Sequence, residues 1–508
     1  MRNILFLSLL LLSMLLRAQI IVPTPAKLDL KNGDCLLRRN ELVVSADSVA
    51  LGACSLFAET LFEGEECNFT TDSLSARLLF RVDAFLPSEG YRLLVDEQCV
   101  RVYASDYPGF VYAVQSLRQL AQMRGDGSVT FPCVEVCDSP RLVWRSFMLD
   151  SGRQYQSVAT IKKYIDMLSM LKMNYFHWHL TEGLGWRLQI KSYSMLTEKG
   201  AFVASGDEQQ GFYTQEEVRD IVNYARRRAV TIVPEIDFPG HAEAALTAYP
   251  QFSCFGEPIG IPREGFTENI FCAGKDSVLI FLRDVLDEVC QLFPSQYIHL
   301  GGDEAPKDNW DACPDCSRRV ASLGLGDSHN LQRWLSAQMA SYLASKGRKA
   351  IFWEDVIVHD GYPLPSNVII QWWNYRTRGD AALKDARRNN YPVIANTNYY
   401  TYLNFPTSPW RGYTKERTFD VETLYNENPS YKASLHYNNI IGIGCSLWCD
   451  YGLTENMLDE RLFPRVFVLA QQMWGSSSPS FSEFGENIKS IMNFFSVAGY
   501  SKKSNDAQ

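Results

Sequence analysis

From about Asp138 onward the chain repeats one pattern: a short apolar segment, a loop, then an amphipathic stretch. Hydrophobic periodicity of this kind restricts the fold more than any other feature of the chain. Eight segments read as strands, at 146–150, 173–180, 230–238, 297–304, 350–356, 367–373, 391–398 and 440–448. Between them lie helical faces. Val158, Ile161, Ile165, Leu168 and Leu171 share one, and Leu279, Leu282, Val285, Leu286 and Val289 share another. Thr214 and Glu217 form a capping box ahead of Val218, Ile221, Val222 and Ala225. Buried parallel strands alternating with helices define an α/β fold, and eight of them predict a (β/α)8 barrel over residues 138–480. The fifth to eighth units are less regular than the first four.

Most of these segments end in polar or aromatic residues: Asp150, His177-Trp178-His179, Glu235-Ile236-Asp237, Asp303-Glu304, Trp353-Glu354-Asp355, Trp372-Trp373 and Trp448-Cys449-Asp450. Barrel enzymes collect their chemistry at the C-terminal strand ends. Core packing does not explain such endings in one orientation.

The most informative segment is Tyr297-Ile-His-Leu-Gly-Gly-Asp303-Glu304. Consecutive side chains on a regular strand point to opposite faces, so both carboxylates can reach one ligand only if the backbone leaves strand geometry. Gly301-Gly302 permits that departure. Two close carboxylates repel, which keeps one protonated near neutral pH, and a protonated acid beside an anion is what glycoside cleavage requires. An isolated Asp-Glu at a strand end would be read as an ordinary acidic terminus.

The segment resembles the His-x-Gly-Gly-Asp-Glu signature of family-20 glycoside hydrolases, the β-N-acetylhexosaminidases. Further segments match in the family's order between about residues 91 and 474. They are Asp138-Ser-Pro-Arg-Leu-Val-Trp-Arg145, Met148-Leu-Asp-Ser-Gly-Arg153, Phe176-His-Trp-His-Leu-Thr181, Gly185-Trp-Arg187 and Val233-Pro-Glu-Ile-Asp-Phe-Pro-Gly-His241. Tyr402-Leu-Asn404, Trp448, and Arg461-Leu-Phe-Pro-Arg465 before Trp474 follow. The resemblance implies a retaining exo-glycosidase acting on terminal β-linked GlcNAc or GalNAc, with the substrate's own 2-acetamido oxygen as nucleophile. It implies Glu304 as general acid and base, and Asp303 as the carboxylate that holds the acetamido N–H. It implies Tyr402 as support for the acetamido carbonyl, and a Glu182–His241–Glu304 relay. Arg153 then binds sugar hydroxyls, Trp353, Trp372 and Trp448 form aromatic walls, and Asn404 stands beside Tyr402. Asp450 occupies a position where the family often has a hydroxyl-binding Glu.

Three positions depart from the family pattern. Glu182-Gly183 replaces the usual Asp-Asp, and Asp450 is one methylene shorter than Glu. The alternatives are a related family-20 activity, releasing a disaccharide or a sulfated sugar, or a sugar-binding barrel without turnover. His177-x-His179 with Asp237 and Asp303 also resembles a metal set. The family needs no metal and no cofactor is implied.

The remaining features narrow class and location. A net charge of −9 without a basic tail argues against nucleic acid or an anionic membrane as partner; the expected partner is a glycan. The apolar run from Ile4 to Leu16, after Met1-Arg2-Asn3, has the length of a signal peptide (residues 1–18), which predicts export to a periplasm or the exterior. Residues 19–137 read as a small α+β domain, with a hairpin through Tyr91-Arg-Leu-Leu-Val95 and Val100-Arg-Val-Tyr103 and a helix from Phe110. Residues 481–508 form a C-terminal helix and tail. The 13 Cys include Cys313-Pro-Asp-Cys316. A zinc site would need two more ligands at matching spacing, and without a second Cys-x-x-Cys the pair reads as a local disulfide or two free thiols.

Overall fold

A computed structural model describes residues 21–39, 42–64, 67–72, 74–203, 210–260, 267–406, 419–450, 452–475 and 479–501. The expected signal peptide and the end of the C-terminal tail lie outside these residues. Two compact units emerge, one of residues 142–169 and 173–473, the other of residues up to 141 with 170–172 and the chain from 474 onward.

The larger unit is a closed barrel of eight parallel strands. They are β1 (Trp144–Asp150), β2 (Tyr175–His179), β3 (Thr231–Glu235), β4 (Tyr297–His299), β5 (Lys349–Trp353), β6 (Val368–Trp372), β7 (Val393–Ala395) and β8 (Ile440–Leu447). Each overlaps an expected strand, and β8 closes on β1 from Gly442–Trp144 to Leu447–Leu149. Helices Val158–Met170, Gln215–Arg227, Asp276–Leu292 and Ser328–Ser345 follow the first four strands. The capping box on Thr214 forms as expected. The irregularity of the later units is real: between β5 and β6 stands only a 3-10 turn, Glu354–Ile357.

The barrel interior changes character along its axis. Trp144, Val233, Ile351, Ile369 and Ile394 fill the N-terminal end as one buried apolar cluster. Alternation then carries the inward-facing positions of β2 from Tyr175 to His177 and His179. Register sets His179 level with Asp150 on β1 and Glu235 on β3, and Glu235 level with His299 on β4. Glu235 is the hub of this layer. Its carboxylate meets His177 Nε2 at 2.8 Å, His179 Nδ1 at 2.5 Å, His299 Nδ1 at 3.0 Å and the Trp353 indole N–H at 2.8 Å. Apolar burial thus secures one end of the barrel, while a charged network orders the layer beneath the C-terminal strand ends.

The smaller unit contains an eight-stranded mixed sheet in which Val129–Asp138 lies second from one edge, paired to both Lys27–Leu37 and Tyr91–Val95. The expected hairpin forms, pairing Tyr91–Val95 with Val100–Ala104. The expected helix runs Tyr107–Leu120, capped by Asp106, whose side chain accepts from Gly109 N–H. A fully buried ion pair, Lys172–Asp138 at 2.7 Å, belongs to this unit, and the Trp474 indole donates to the same carboxylate at 2.8 Å. The helix Phe481–Val497 also belongs to it.

Candidate active site

The expected break in β4 is present. The strand stops at His299, and Gly301 and Gly302 have φ of +61° and +97°. That turn places Asp303 in the interior, its side chain 12% exposed, and Glu304 at the mouth with its side chain 54% exposed. Glu304 has a φ of +49°, as does His241, a conformation disfavoured for residues with a Cβ and common at functional sites. Gly302 N–H donates to Asp237 Oδ1 at 2.9 Å, which ties the turn to the end of β3.

His241 faces both carboxyls. Its Nδ1 meets Glu182 at 2.9 Å, and its Nε2 lies 3.6 Å from Asp303 Oδ2 and 3.7 Å from Glu304 Oε2. The Glu182–His241 half of the expected relay is therefore a hydrogen bond despite the longer Glu. The other half points between Asp303 and Glu304 rather than at Glu304 alone. Glu182 also accepts from Arg153 Nη2 at 2.5 Å, while Arg153 Nη1 reaches Asp150 at 2.9 Å. Burial opposes the Glu182 charge, but Arg153 and His241 outweigh it and hold the carboxyl at about 2. Burial likewise opposes the His241 cation, and Glu182, Asp303 and Asp237 overcome it, so its pKa lies well above the usual imidazole range.

Asp303 is pushed well above the ordinary carboxylate range, first by burial and then by Asp237. The repulsion expected from Glu304 is a smaller contributor; the effective partner is Asp237, itself pushed up by burial. One carboxylate oxygen each of Asp237 and Asp303 and a ring nitrogen of His241 lie within 4.8 Å of one another. His177 and His179 are turned to Glu235, away from this group.

Aromatic rings line the remainder. Trp353, Tyr402 and Trp448 share one buried cluster, with Trp353–Trp448 and Tyr402–Trp448 centroids 5.8 and 5.9 Å apart. Trp372 is not a wall of this site: its indole N–H donates to Gly379 O at 3.1 Å, on the far side of β6. The next residue takes the expected place. Trp373 lies parallel to Tyr402, at 6.5 Å and 10°, and its indole donates to Asp355 Oδ2 at 2.7 Å. Successive residues at a strand end face opposite sides, so a one-residue choice in Trp-Trp decides which ring reaches the mouth. Asp355, not singled out by sequence, also accepts from Glu304 N–H at 3.3 Å. Its place in the polar strand end Trp353-Glu354-Asp355 was the available signal.

Beside these rings stand Asn404, whose amide donates to Asp450 at 3.0 Å, and Arg153, stacked over Trp448 at 5.2 Å. Burial pushes Asp450 up to about 6, against the pull of Arg153. Buried polar atoms in this region, among them His241 Nε2, Asp237 Oδ2, Asp303 Oδ1, Trp448 Nε1 and Asn404 Oδ1, have no hydrogen-bond partner in the protein. Buried polar groups are rarely left so, and a ligand rich in hydroxyls and amides would satisfy them.

Residues 142–477 match the family described as "Glycosyl hydrolase family 20, catalytic domain", and residues 18–139 match "Glycosyl hydrolase family 20, domain 2". A beta-hexosaminidase of Porphyromonas gingivalis is 39% identical over 415 residues, which are 77% of this chain and 52% of that protein. The chain thus spans about half the length of that relative. The solved structure of a beta-N-acetylhexosaminidase from Bacteroides fragilis is 55% identical, with a TM-score of 0.91 over 95% of this chain and 97% of the other. An exo beta-N-acetylglucosaminidase of Vibrio harveyi, solved in complex with N-acetylglucosamine, is 27% identical with a TM-score of 0.83 over 95% and 78%.

Proposed function

Since the chain belongs to glycosyl hydrolase family 20, we propose that it is a retaining exo-β-N-acetylhexosaminidase using substrate-assisted catalysis. The observation that carries this reading is the pairing of a recessed carboxyl, Asp303, with an exposed one, Glu304, beside an aromatic pocket with buried polar atoms that lack hydrogen-bond partners.

Trp353, Trp373, Trp448 and Tyr402 enclose the 2-acetamido group, which excludes water and presses its carbonyl oxygen towards the anomeric carbon. Tyr402 stays a phenol, because burial and the charge of Asp303 push its pKa well above the usual value. It donates to the acetamido oxygen. Glu304, at the mouth, gives a proton to the leaving oxygen as the acetamido oxygen attacks. The intermediate carries positive charge on an oxazoline-like ring, and Asp303 accepts the ring N–H. Asp303 must be an anion at that moment. The retained proton rests on Asp237, the more deeply buried of the two, and the His241 cation favours ionised Asp303. Glu304 then takes a proton from the water that opens the intermediate, giving a product of unchanged anomeric configuration. Arg153, Asp450 and Asn404 hold the outer hydroxyls of a terminal sugar. Export, as the N-terminal segment implies, would give the enzyme access to extracellular or periplasmic glycans.

The test is hydrolysis of chromogenic β-N-acetylglucosaminide and β-N-acetylgalactosaminide. Glu304→Gln and Asp303→Asn should each lose about 100-fold or more in kcat. Replacing the acetyl group by trifluoroacetyl weakens the internal nucleophile and should slow the wild type strongly. An α-anomer as first product, or indifference to the trifluoroacetyl group, would remove the substrate-assisted mechanism.

A further inference from the structure

The two loops that carry the reacting groups also carry cysteines. The loop after β3 holds His241, then Cys254 and Cys272; the loop after β4 holds Asp303 and Glu304, then Cys313 and Cys316. We propose that Cys254, Cys272, Cys313 and Cys316 bind one zinc ion as a buried tetrathiolate that fastens these two loops together.

Geometry is the first support. Cys272 Sγ lies 3.8 Å from Cys313 Sγ and 3.5 Å from Cys316 Sγ, and all four sulfurs lie within 4.8 Å of one another. Thiolates about 2.3 Å from a tetrahedral zinc stand about 3.8 Å apart, so the cluster already has the dimensions of the coordination sphere. All four are free thiols, from 0% to 8% exposed. Of the two readings of Cys313 and Cys316, a local disulfide or two free thiols, the structure has the free thiols, and the two further ligands come from a loop that supplies no second Cys-x-x-Cys. Four thiols pressed together in a core have a purpose as ligands that packing alone does not provide.

The backbone is also arranged for it. An antiparallel bridge pairs Ser253 with Phe271, the residues that precede Cys254 and Cys272, and so brings their two segments together. Cys313 precedes the helix Pro314–Leu323, and Cys316 lies in its first turn. Gly274 lets the two loops close on each other: a Cβ there would lie 2.3 Å from Asp315 C and Cys316 N. A tetrathiolate of zinc carries two negative charges, and two cations stand on the same segments, Lys275 and Arg319, the latter also paired with Asp276 Oδ1 at 2.6 Å. Lys275 Nζ donates to Ser253 O at 2.6 Å, and Arg319 Nη2 to Gly274 O at 3.0 Å.

The cluster reaches the reaction through short contacts. His241 N–H donates to Thr267 Oγ1 at 3.1 Å, and Phe271 N–H to Pro239 O at 3.0 Å. From the other loop, Trp310 donates to Phe271 O at 2.9 Å and Asn309 to Glu268 O at 3.0 Å. The arm between Thr267 and Cys272 thus lies against the His241 segment on one side and the Glu304 loop on the other. Metal at its end would hold His241 in place before Asp303 and Glu304, as a positioning device outside the chemistry.

The test is metal analysis of the full-length purified protein after dialysis against EDTA. One zinc per chain is expected, released only when an organomercurial titrates the thiols and read with a metallochromic dye. Protein produced with cobalt should show the thiolate-to-metal and tetrahedral d–d absorption of a Co(II)–S4 site. Cys272→Ser should lose the metal, and zinc-depleted wild type should melt lower by about 5 °C or more. Folded, active wild type without zinc overturns the proposal, whether its cysteines appear as disulfide-linked peptides or as four titratable thiols. Because the readout is metal content, failure here leaves the hexosaminidase reading untouched.

Discussion

At Asp450 and Glu182 two buried carboxyls face the Arg153 guanidinium and titrate in opposite directions. Glu182, held at about 2, adds stability that is present above the ordinary Glu value and is lost as pH falls through 2. Asp450 is the reverse case. Its pKa, pushed up to about 6, means that its contribution is complete below the ordinary Asp value and is lost as pH rises through 6. Ionised Asp450 is therefore a cost to the fold. Asp450→Asn keeps an acceptor for the Asn404 amide. Relative to wild type, the variant should be more stable at pH 7.5 than at pH 4 by about 1–3 kcal/mol. It should also lose about 10-fold or more in kcat/KM, if the carboxylate binds a sugar hydroxyl. Chemical denaturation at the two pH values checks the first part; an unchanged difference would mean that Asp450 is better solvated than its burial implies.

The element that matters most is the turn after β4. Both glycines have positive φ, but their surroundings differ. A Cβ on Gly301 would lie 1.6 Å from Asp237 Oδ1, whereas one on Gly302 would meet Val356 Cγ1 at 2.7 Å. Asp237 is buried and bonded to the turn, so it has nowhere to go; a valine methyl can rotate. Gly301→Ala should cost about 3 kcal/mol or more, and Gly302→Ala distinctly less, in urea unfolding. The reverse order would show that Asp237 does not clamp the turn. This departure from strand geometry was legible in the sequence, because Asp303 and Glu304 cannot serve one ligand from a regular strand. The choice between Trp372 and Trp373 was not, since it depends on the residue at which β6 ends.

For the barrel as a whole, Glu235 is the buried charge on which the middle layer depends. Three imidazoles and one indole converge on it, and the residue is 0% exposed. Removing one partner of such a network leaves the others uncompensated. Glu235→Leu should destabilise the barrel by about 3–5 kcal/mol, measured as a fall in the urea midpoint at unchanged m-value. A loss below about 1 kcal/mol would mean that the imidazoles find other partners or remain neutral without strain.

The sequence by itself determined the barrel, its eight strands, the orientation of their polar ends and the Asp303–Glu304 pair. Each of these is written in local periodicity or in adjacent residues. Only the tertiary structure decided which groups meet across loops. It set Asp237, rather than Glu304, as the main carboxyl partner of Asp303, brought Asp355 to the Glu304 backbone, and gathered Cys254 and Cys272 beside Cys313 and Cys316. Strand and helix patterns repeat every two to four residues and can be read along the chain. Contacts between loops depend on how the closed barrel brings their ends together, and no local spacing encodes that.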